Sequence, residues 1–456
     1  MAQTDISRRE FIGTAAAASA SLAAGASFLR PYSLLAAESD DPAQTVSGTG
    51  EQIQFGIVGV GMQGSGLLAN AIELPGVKCA AACDLYDERH VLAREITGNP
   101  NLQVTRRYHD LLENKDIRCI VAAVPDHWHR QIVVDALAAG KDIYCEKPMS
   151  HSAADGEAMV EAARHSDCIV QIGSQRVSSQ ICAKAKQLIA EGVLGDIVLI
   201  EGWLGRNDPT GAWVYPPPPG LSTENLDWDT WLGEAPKIPF DPYVFARWRC
   251  WRQYGTGVAG DLLVHLISGM MFMLGINEPP KQAMSAGGIL RWKDGRNMPD
   301  VHSTVFYYGV LPVYMRLNLS TEMPETYRFQ GSKGILEVGE FGLSYTPQSG
   351  VDTAPSYYDA SFPRAMRNAY EKQWHEAHDP QIGHEPMPEA LSFRGPDYDD
   401  VKPHLLTFFD SVRTRKPLVE DAVFGHHAAL ACHMANESYF RKTAVYWDAN
   451  TRTIKS

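Results

Sequence analysis

The chain has 456 residues, 45% of them hydrophobic and 21% charged, with a formal net charge of -13. That acidic balance argues against a nucleic-acid surface, which needs clustered Lys and Arg, and points to a small or neutral ligand. The apolar share is enough for the cores of two ordinary domains.

The chain opens with "TDISRREFIGTAAAASA", in which Arg8 and Arg9 precede Phe11, and runs through small apolar residues to "SLLAAESD". This stretch is too short for a membrane anchor and reads as a twin-arginine signal peptide over 1–37, cut near Ala37, with a linker over 38–52. Such an address implies a chain that folds in the cytoplasm and then passes the twin-arginine translocation machinery to the periplasm or another extracytoplasmic space. After cleavage it keeps no anchor. The eight cysteines then fold among reducing thiols and are expected to be mostly free and buried. Cys79 and Cys83, on one strand, stand roughly 13 Å apart, too far for a bridge.

From Ile53 onward, short apolar runs alternate with amphipathic helices. "IQFGIVGV", "VKCAAACD", "IRCIVAAVP", "DIYCEKP" and "CIVQIGS" are strand-like; "GSGLLANAIE", "DERHVLAREI", "HRQIVVDALAAG" and "ADGEAMVEAARHS" are helical. This alternation predicts a parallel sheet covered on both faces, with ligands at the carboxyl ends of its strands. Gly59, Gly61 and Gly64 form G-x-G-x-x-G at the first strand end, with Met62 and Gln63 between the last two. Backbone amides and the helix dipole can there approach a pyrophosphate. Asp84 ends the second strand, where a carboxylate can accept hydrogen bonds from both adenosine ribose hydroxyls. It would repel a 2'-phosphate, so NAD is favoured over NADP.

Two further strand ends carry chemistry. "VPDHWHRQ" puts Pro125, His127, Trp128 and His129 after the fourth strand, as cofactor contacts or as a helix N-terminus with an aromatic cover. "YCEKPMS" supplies Glu146 and Lys147, and a lysine at a cofactor cleft can polarise a hydroxyl or stabilise an alkoxide. Further on, "DIVLIEGWLG", "QAMSAGGILRW", "HSTVFYYG", "PVYMRLNLS" and "YRFQGSKGILEVGE" read as β-hairpin segments. Between the first of these and the rest lies a long loop region. In it Trp228, Trp231, Trp248 and Trp251 interleave with Asp227, Asp229, Arg247, Arg249 and Arg252, a mixture suited to a sugar or to a core. In "YGTGVAGDLLVHLIS", Asp261 and His265 are four apart and would share one face of a helix. His426, His427, Cys432 and His433 fall on different helix faces, and His375, His378 and His384 lack H-E-x-x-H spacing, so no metal site is expected.

Together "GIVGVGMQG", Asp84, "VPDHWHRQIVVDALAAGKDIYCEKP" and "GTGVAGDLLVHLIS" closely resemble the glucose-fructose oxidoreductase, inositol dehydrogenase and MocA family, across essentially the whole chain after the signal. The resemblance implies an α/β fold: an N-terminal Rossmann domain with a parallel sheet, here 53–175. An α+β domain with an open, mostly antiparallel sheet would follow over 176–400 as substrate and oligomerisation domain. Helices over 401–456 would pack back on the first domain, and the protein would be a homo-dimer or homo-tetramer. The implied activity is NAD-dependent oxidation of a sugar, glycoside or polyol, with a cofactor carried through export and recycled in place. His265 would be the acid/base, Lys147 the alkoxide partner and Asp261 a substrate-binding group. Pro125, His129 and Glu146 join the glycine turn as cofactor candidates, and Trp128, Arg176, Trp248, Arg249 and Tyr254 as substrate candidates. Leu263 and Ser268 depart from the family's usual glycine and aspartate. Two other readings remain: an NAD-dependent glycoside hydrolase, which would need a further base such as Tyr254 or a loop histidine, and a non-catalytic sugar-binding protein.

Overall fold

A computed structural model of the chain describes residues 33–34, 52–348, 356–378, 389–395 and 400–456. The first domain is a six-stranded parallel sheet built from β1 (Ile53–Val58), β2 (Val77–Cys83), β3 (Gln103–Thr105), β4 (Cys119–Ala122), β5 (Asp142–Glu146) and β6 (Val170–Gly173). Their order across the sheet is β3-β2-β1-β4-β5-β6. The sheet reverses direction of growth between β1 and β4, and a ligand crevice opens at such a switch point. Strands β4, β5 and β6 are buried at every position, because helices cover both faces and no residue can alternate toward water.

The helices are α1 (Met62–Ile72), α2 (Asp87–Thr97), α3 (Tyr108–Glu113), α4 (His129–Ala138) and α5 (Ala153–Arg164). Ser152 caps α5 by accepting the Asp155 N–H, and Gly98 closes α2 in a left-handed conformation at φ 61°, both ordinary ways of satisfying the backbone groups at helix ends. Helix α1 is preceded by Gly61, and no side chain caps its first amides. Strand β3 and helix α3 lie in a polar stretch where no apolar run marked them in the sequence. Three residues of partly exposed strand hold their place by pairing with β2 rather than by pattern.

Helix α6 (Gln180–Ala190) leads into a second, mixed sheet: β7 (Ile197–Gly205), β8 (Gln282–Gly288), β9 (Val301–Tyr308), β10 (Leu311–Asn318), β11 (Met323–Gly331), β12 (Gly334–Gly339), β13 (Gly342–Pro347) and β14 (Leu391–Arg394). Helix α7 (Val264–Leu274) lies on its inner face, and Leu266, Ile267, Met270 and Met271 pack with Met315, Tyr327 and Phe329. The pairing is antiparallel except between β7 and β10 and between β14 and a two-residue strand, Ser33–Leu34. That short strand falls inside the predicted signal segment; the rest of 1–51 lies outside the described residues.

The C-terminal segment does two things. In α8 (Val401–Thr414), Leu405, Phe408, Phe409 and Val412 enter the core under β1 and α1, with the Phe409 and Phe55 rings 5.6 Å apart. Helix α9 (Ala422–Arg441) is a wedge of small residues between the domains. Gly425 lets it approach β6, where a Cβ would meet Ile172 Cγ1 at 2.4 Å. The last residues are strands rather than helix, since β15 (Val445–Asp448) and β16 (Thr453–Lys455) extend the second sheet at the β8 edge.

Arg176, expected from the resemblance to meet substrate, is instead committed to the joint between the domains. It follows β6, and its Nε and Nη2 bond Glu325 at 2.6 and 2.7 Å while Nη1 bonds Asp400 at 2.6 Å. Both carboxylates are buried, so removing the guanidinium strands two charges in a poorly solvated place. Arg176→Met is expected to lower unfolding free energy by about 3–5 kcal/mol; a urea midpoint within error of wild type would remove this account.

Candidate active site

The site is assembled at the crevice where β1 and β4 part. Gly59 has φ 87°, and a Cβ on it would lie 2.3 Å from the Ala123 carbonyl oxygen. At Gly64 a Cβ would stand 1.9 Å from the Gly59 oxygen. Both glycines are therefore required by the turn itself, which brings the uncapped start of α1 to the crevice, a place suited to an anion. At Gly61 a Cβ would merely touch the Arg89 guanidinium at 3.4 Å.

Asp84 is buried at the end of β2. Its Oδ2 accepts the Val60 N–H at 2.7 Å, its Oδ1 accepts the Tyr86 N–H at 3.0 Å, and Arg89 Nη1 approaches both oxygens at 3.3–3.4 Å. A carboxylate has about four acceptor directions, so capacity for hydroxyl groups remains. The long loop after β7 folds over this end. Tyr86 bridges to Leu226, the Asp227 N–H bonds the Leu85 oxygen, and Trp228 stacks on Trp231 at 4.9 Å within a cluster holding Tyr86 and Phe245. Two of the four tryptophans offered as sugar platforms thus pack the lid of the crevice.

One cleft is lined by Gly61, Met62, Gln63, Pro125, Glu146 and Lys147 from the first domain, and by Tyr215, Trp248 and Arg249 from the loop. Glu146 is buried. Its Oε1 accepts Gln63 Nε2 at 2.9 Å and Gln175 Nε2 at 3.1 Å, and its Oε2 accepts the Lys147 N–H at 3.1 Å. Burial raises its pKa, and the neighbouring Lys147 opposes that shift. The next bond, Lys147–Pro148, is cis.

Lys147 Nζ reaches into the second domain, donating to the Asp261 carbonyl at 2.8 Å and to Asp261 Oδ1 at 3.0 Å. Arg249 Nε donates to the same Oδ1 at 3.0 Å while its guanidinium lies 4.2 Å from the centre of the Trp248 ring. Burial pushes the Asp261 carboxyl up, but Lys147, Arg249 and Arg206 outweigh it and hold it well below the usual range. Asp261 sits in a π-helical turn, Ala259–Leu263, that runs into α7. The wider i→i+5 turn displaces the spacing expected of a regular helix. Asp261 accordingly bonds Lys147 and Arg249, not His265. The His265 Nδ1 is buried without a hydrogen-bond partner, and burial, then Lys147 and Arg176, depress its pKa well below the ordinary histidine value.

His129, Trp128 and Tyr254 are not among the residues that line the cleft. His129 is fully enclosed beneath it, with Nδ1 2.8 Å from the Pro148 oxygen and Nε2 3.0 Å from the Val124 oxygen, so it fixes the ends of β4 and β5 from below. Trp128 donates Nε1–H to the Trp231 oxygen at 3.0 Å and lies against Gly233, as an aromatic cover rather than a substrate platform. Tyr254 is enclosed by Trp231 and His127, with ring centres 5.0 and 5.3 Å away. Trp128 and Tyr254 are held by contacts to Trp231 in the loop, which the sequence could not place. The C-terminal histidines separate similarly: His426 meets Glu157, His427 meets Asn277 and His433 meets Ser150.

The structure adds residues that carried no signal of their own. Asp126 accepts both the N–H and the hydroxyl of Thr256, at 2.9 and 2.6 Å, and Asn436 Nδ2 bonds the Thr256 oxygen at 2.9 Å. This latch ties the first domain, the segment before the π-helical turn and α9 together. It also needs Gly260, where a Cβ would lie 1.6 Å from Thr256 Oγ1. Arg89 and Tyr215 on the cleft wall and Gln175 beside Glu146 are each ordinary in sequence and become site residues through long-range packing. Asp126 alone stood inside a motif already singled out.

Residues 53–174 match the model described as "Oxidoreductase family, NAD-binding Rossmann fold" (GFO_IDH_MocA). Inositol 2-dehydrogenase of Salmonella typhimurium is 32% identical over 154 residues, 33% of this chain and 45% of that protein. Levoglucosan dehydrogenase of Pseudarthrobacter phenanthrenivorans is 25% identical over 172 residues, 38% of this chain and 36% of that one. The chain thus spans less than half the length of these curated relatives. In three dimensions, levoglucosan dehydrogenase in complex with NADH and levoglucosan superposes with a TM-score of 0.61 at 18% identity, over 86% of this chain and 99% of that one. The aldose-aldose oxidoreductase of Caulobacter crescentus, complexed with glycerol, gives 0.61 at 17%, over 87% and 100%. The two-domain architecture is therefore shared with these structures, and residues 53–174 are similar to the NAD-binding Rossmann domain of the Gfo/Idh/MocA oxidoreductase family.

Proposed function

We propose that the chain is an NAD-dependent sugar or polyol oxidoreductase. The observation that carries this reading is Lys147 Nζ, held by Asp261 at the inner end of a cleft that begins at the glycine turn. The residues fit the dinucleotide: the tight turn at Gly59 and Gly64 and the uncapped amides of α1 suit its pyrophosphate, and Asp84 suits its ribose. Related structures in complex with NADH and with NAD support the same cofactor. Bound there, NAD supplies the hydride acceptor.

The chain's own residues handle the proton and the charge. His265, kept neutral by burial and nearby cations, accepts the hydroxyl proton at a ring nitrogen. Lys147 donates a hydrogen bond to the oxygen as negative charge develops on it, and Asp261 fixes the direction of that donor. Trp248 and Tyr215 close the cleft against water and offer flat faces to a ring. The glycoside hydrolase reading needs a second base, and Tyr254 stands in the aromatic cluster away from Lys147. Export in the folded state, through the signal read at Arg8 and Arg9, completes the proposal, with a cofactor carried inside the protein; a homo-dimer or homo-tetramer is the assembly proposed.

Lys147→Ala is expected to lower kcat by about 10²–10³ while cofactor binding persists; unchanged turnover would remove the mechanism. Because His265 must be neutral to act and its pKa is depressed, kcat/KM should stay level as pH falls through 6.5 and drop only in more acidic solution. An acid limb centred at or above that value would count against His265. Asp84→Asn removes the charge that opposes a 2'-phosphate and leaves Arg89 in place, so the NAD to NADP ratio of kcat/KM should fall by about 10-fold or more. For export, the full chain should reach the periplasm of a twin-arginine-competent host, and an R8K/R9K variant should remain in the cytoplasm.

A further inference from the structure

One side chain crosses from the glycine turn toward Lys147. Gln63 is the second residue of α1, exposed and on the cleft wall, yet its Nε2 is fixed on the buried Glu146 Oε1 at 2.9 Å. Glu146 is the chain neighbour of Lys147. The bond therefore spans the stretch between the uncapped amides of α1, which suit a pyrophosphate, and the lysine at the inner end of the cleft. A dinucleotide that reaches from one to the other lays its nicotinamide beside this pair.

The neighbours of Glu146 decide which way the Gln63 amide points. Gln175 Nε2 at 3.1 Å and the Tyr144 hydroxyl at 3.4 Å approach the same Oε1, and the Lys147 N–H, which can only donate, reaches Oε2 at 3.1 Å. Every group around the carboxylate offers a proton, so Gln63 meets it with its NH2 end rather than its oxygen. The Gln63 Oε1 is left without a hydrogen-bond partner among the described residues. A long exposed side chain held in one orientation loses rotamer freedom, and what it presents at the cleft is a fixed acceptor.

We propose that Gln63, oriented by Glu146, recognises the carboxamide of the nicotinamide ring, its Oε1 accepting a hydrogen bond from the carboxamide NH2. That bond fixes the rotation of the ring about its link to the ribose, and with it the ring face turned toward the sugar. The proton and the developing charge stay with His265 and Lys147. This assignment rests on the oxidoreductase reading and deepens it, by naming the side chain and the atom that select the reacting end of the cofactor.

The test uses the 3-acetylpyridine analogue of NAD, in which a methyl group replaces the amide nitrogen and the carbonyl is kept. The full chain is dialysed to equilibrium against equal concentrations of NAD and the analogue, and the bound species are released with acid and quantified by chromatography. ADP-ribose, which has no nicotinamide, is dialysed in parallel. Wild type should hold NAD over the analogue by about 10-fold, the scale of one hydrogen bond whose acceptor otherwise goes unmet; this ratio needs no variant to fold. Gln63→Met, of similar length but without the acceptor, should bring the ratio toward unity while binding ADP-ribose as wild type does. Equal binding of NAD and the analogue by wild type would overturn the assignment and leave the oxidoreductase reading intact. A preference that persists in Gln63→Met would also overturn it, and would move the acceptor to Asp126 or to the second oxygen of Glu146 on the same wall. Loss of ADP-ribose together with NAD in the variant would make Gln63 a structural residue of the turn and overturn it too. Binding of no dinucleotide by wild type would overturn both readings.

Discussion

Asp261 and the two cations that share it form the interaction on which the site depends. A carboxylate removed from water requires compensation, and Lys147 from the first domain and Arg249 from the loop provide it at 3.0 Å each. Such a buried pairing is weak as a source of net stability, because desolvation offsets most of the attraction. Its effect is positional. The lysine that follows β5 is drawn across the domain boundary and held in one direction, and Arg249 is held over Trp248.

The remaining contacts at the boundary serve the same end. The Asp126–Thr256–Asn436 latch, the His129 ring between two carbonyl oxygens, and the bare Cα of Gly260 all fix backbone at the cleft floor. The π-helical turn that carries Asp261 belongs with them. An extra residue in the turn aims the carboxylate at Lys147 while α7 continues into the core as a regular helix. Arg176 performs the corresponding task at the far side of α7, between β11 and α8.

Local charge then decides the chemistry available. Burial depresses the His265 pKa, and Lys147, which Asp261 orients, adds to that shift.

The sequence by itself determined the first domain. Alternating buried strands and helices, the glycine turn and Asp84 are local signals read over a few residues, and steric need at Gly59 and Gly64 is a property of the turn alone. Lys147, His265 and Asp261 were legible through a motif rather than through physics, and the hairpins of the second sheet through their alternation. Only the tertiary structure decided the rest. It put β15 and β16 on the edge of the second sheet, took Arg176, Trp128, His129 and Tyr254 out of the cleft, and brought Arg89 and Tyr215 to it. The reason is range: these roles are set by partners up to hundreds of residues away, as between Arg176 and Asp400, and no local pattern encodes which polar side chain a folded neighbour will leave free.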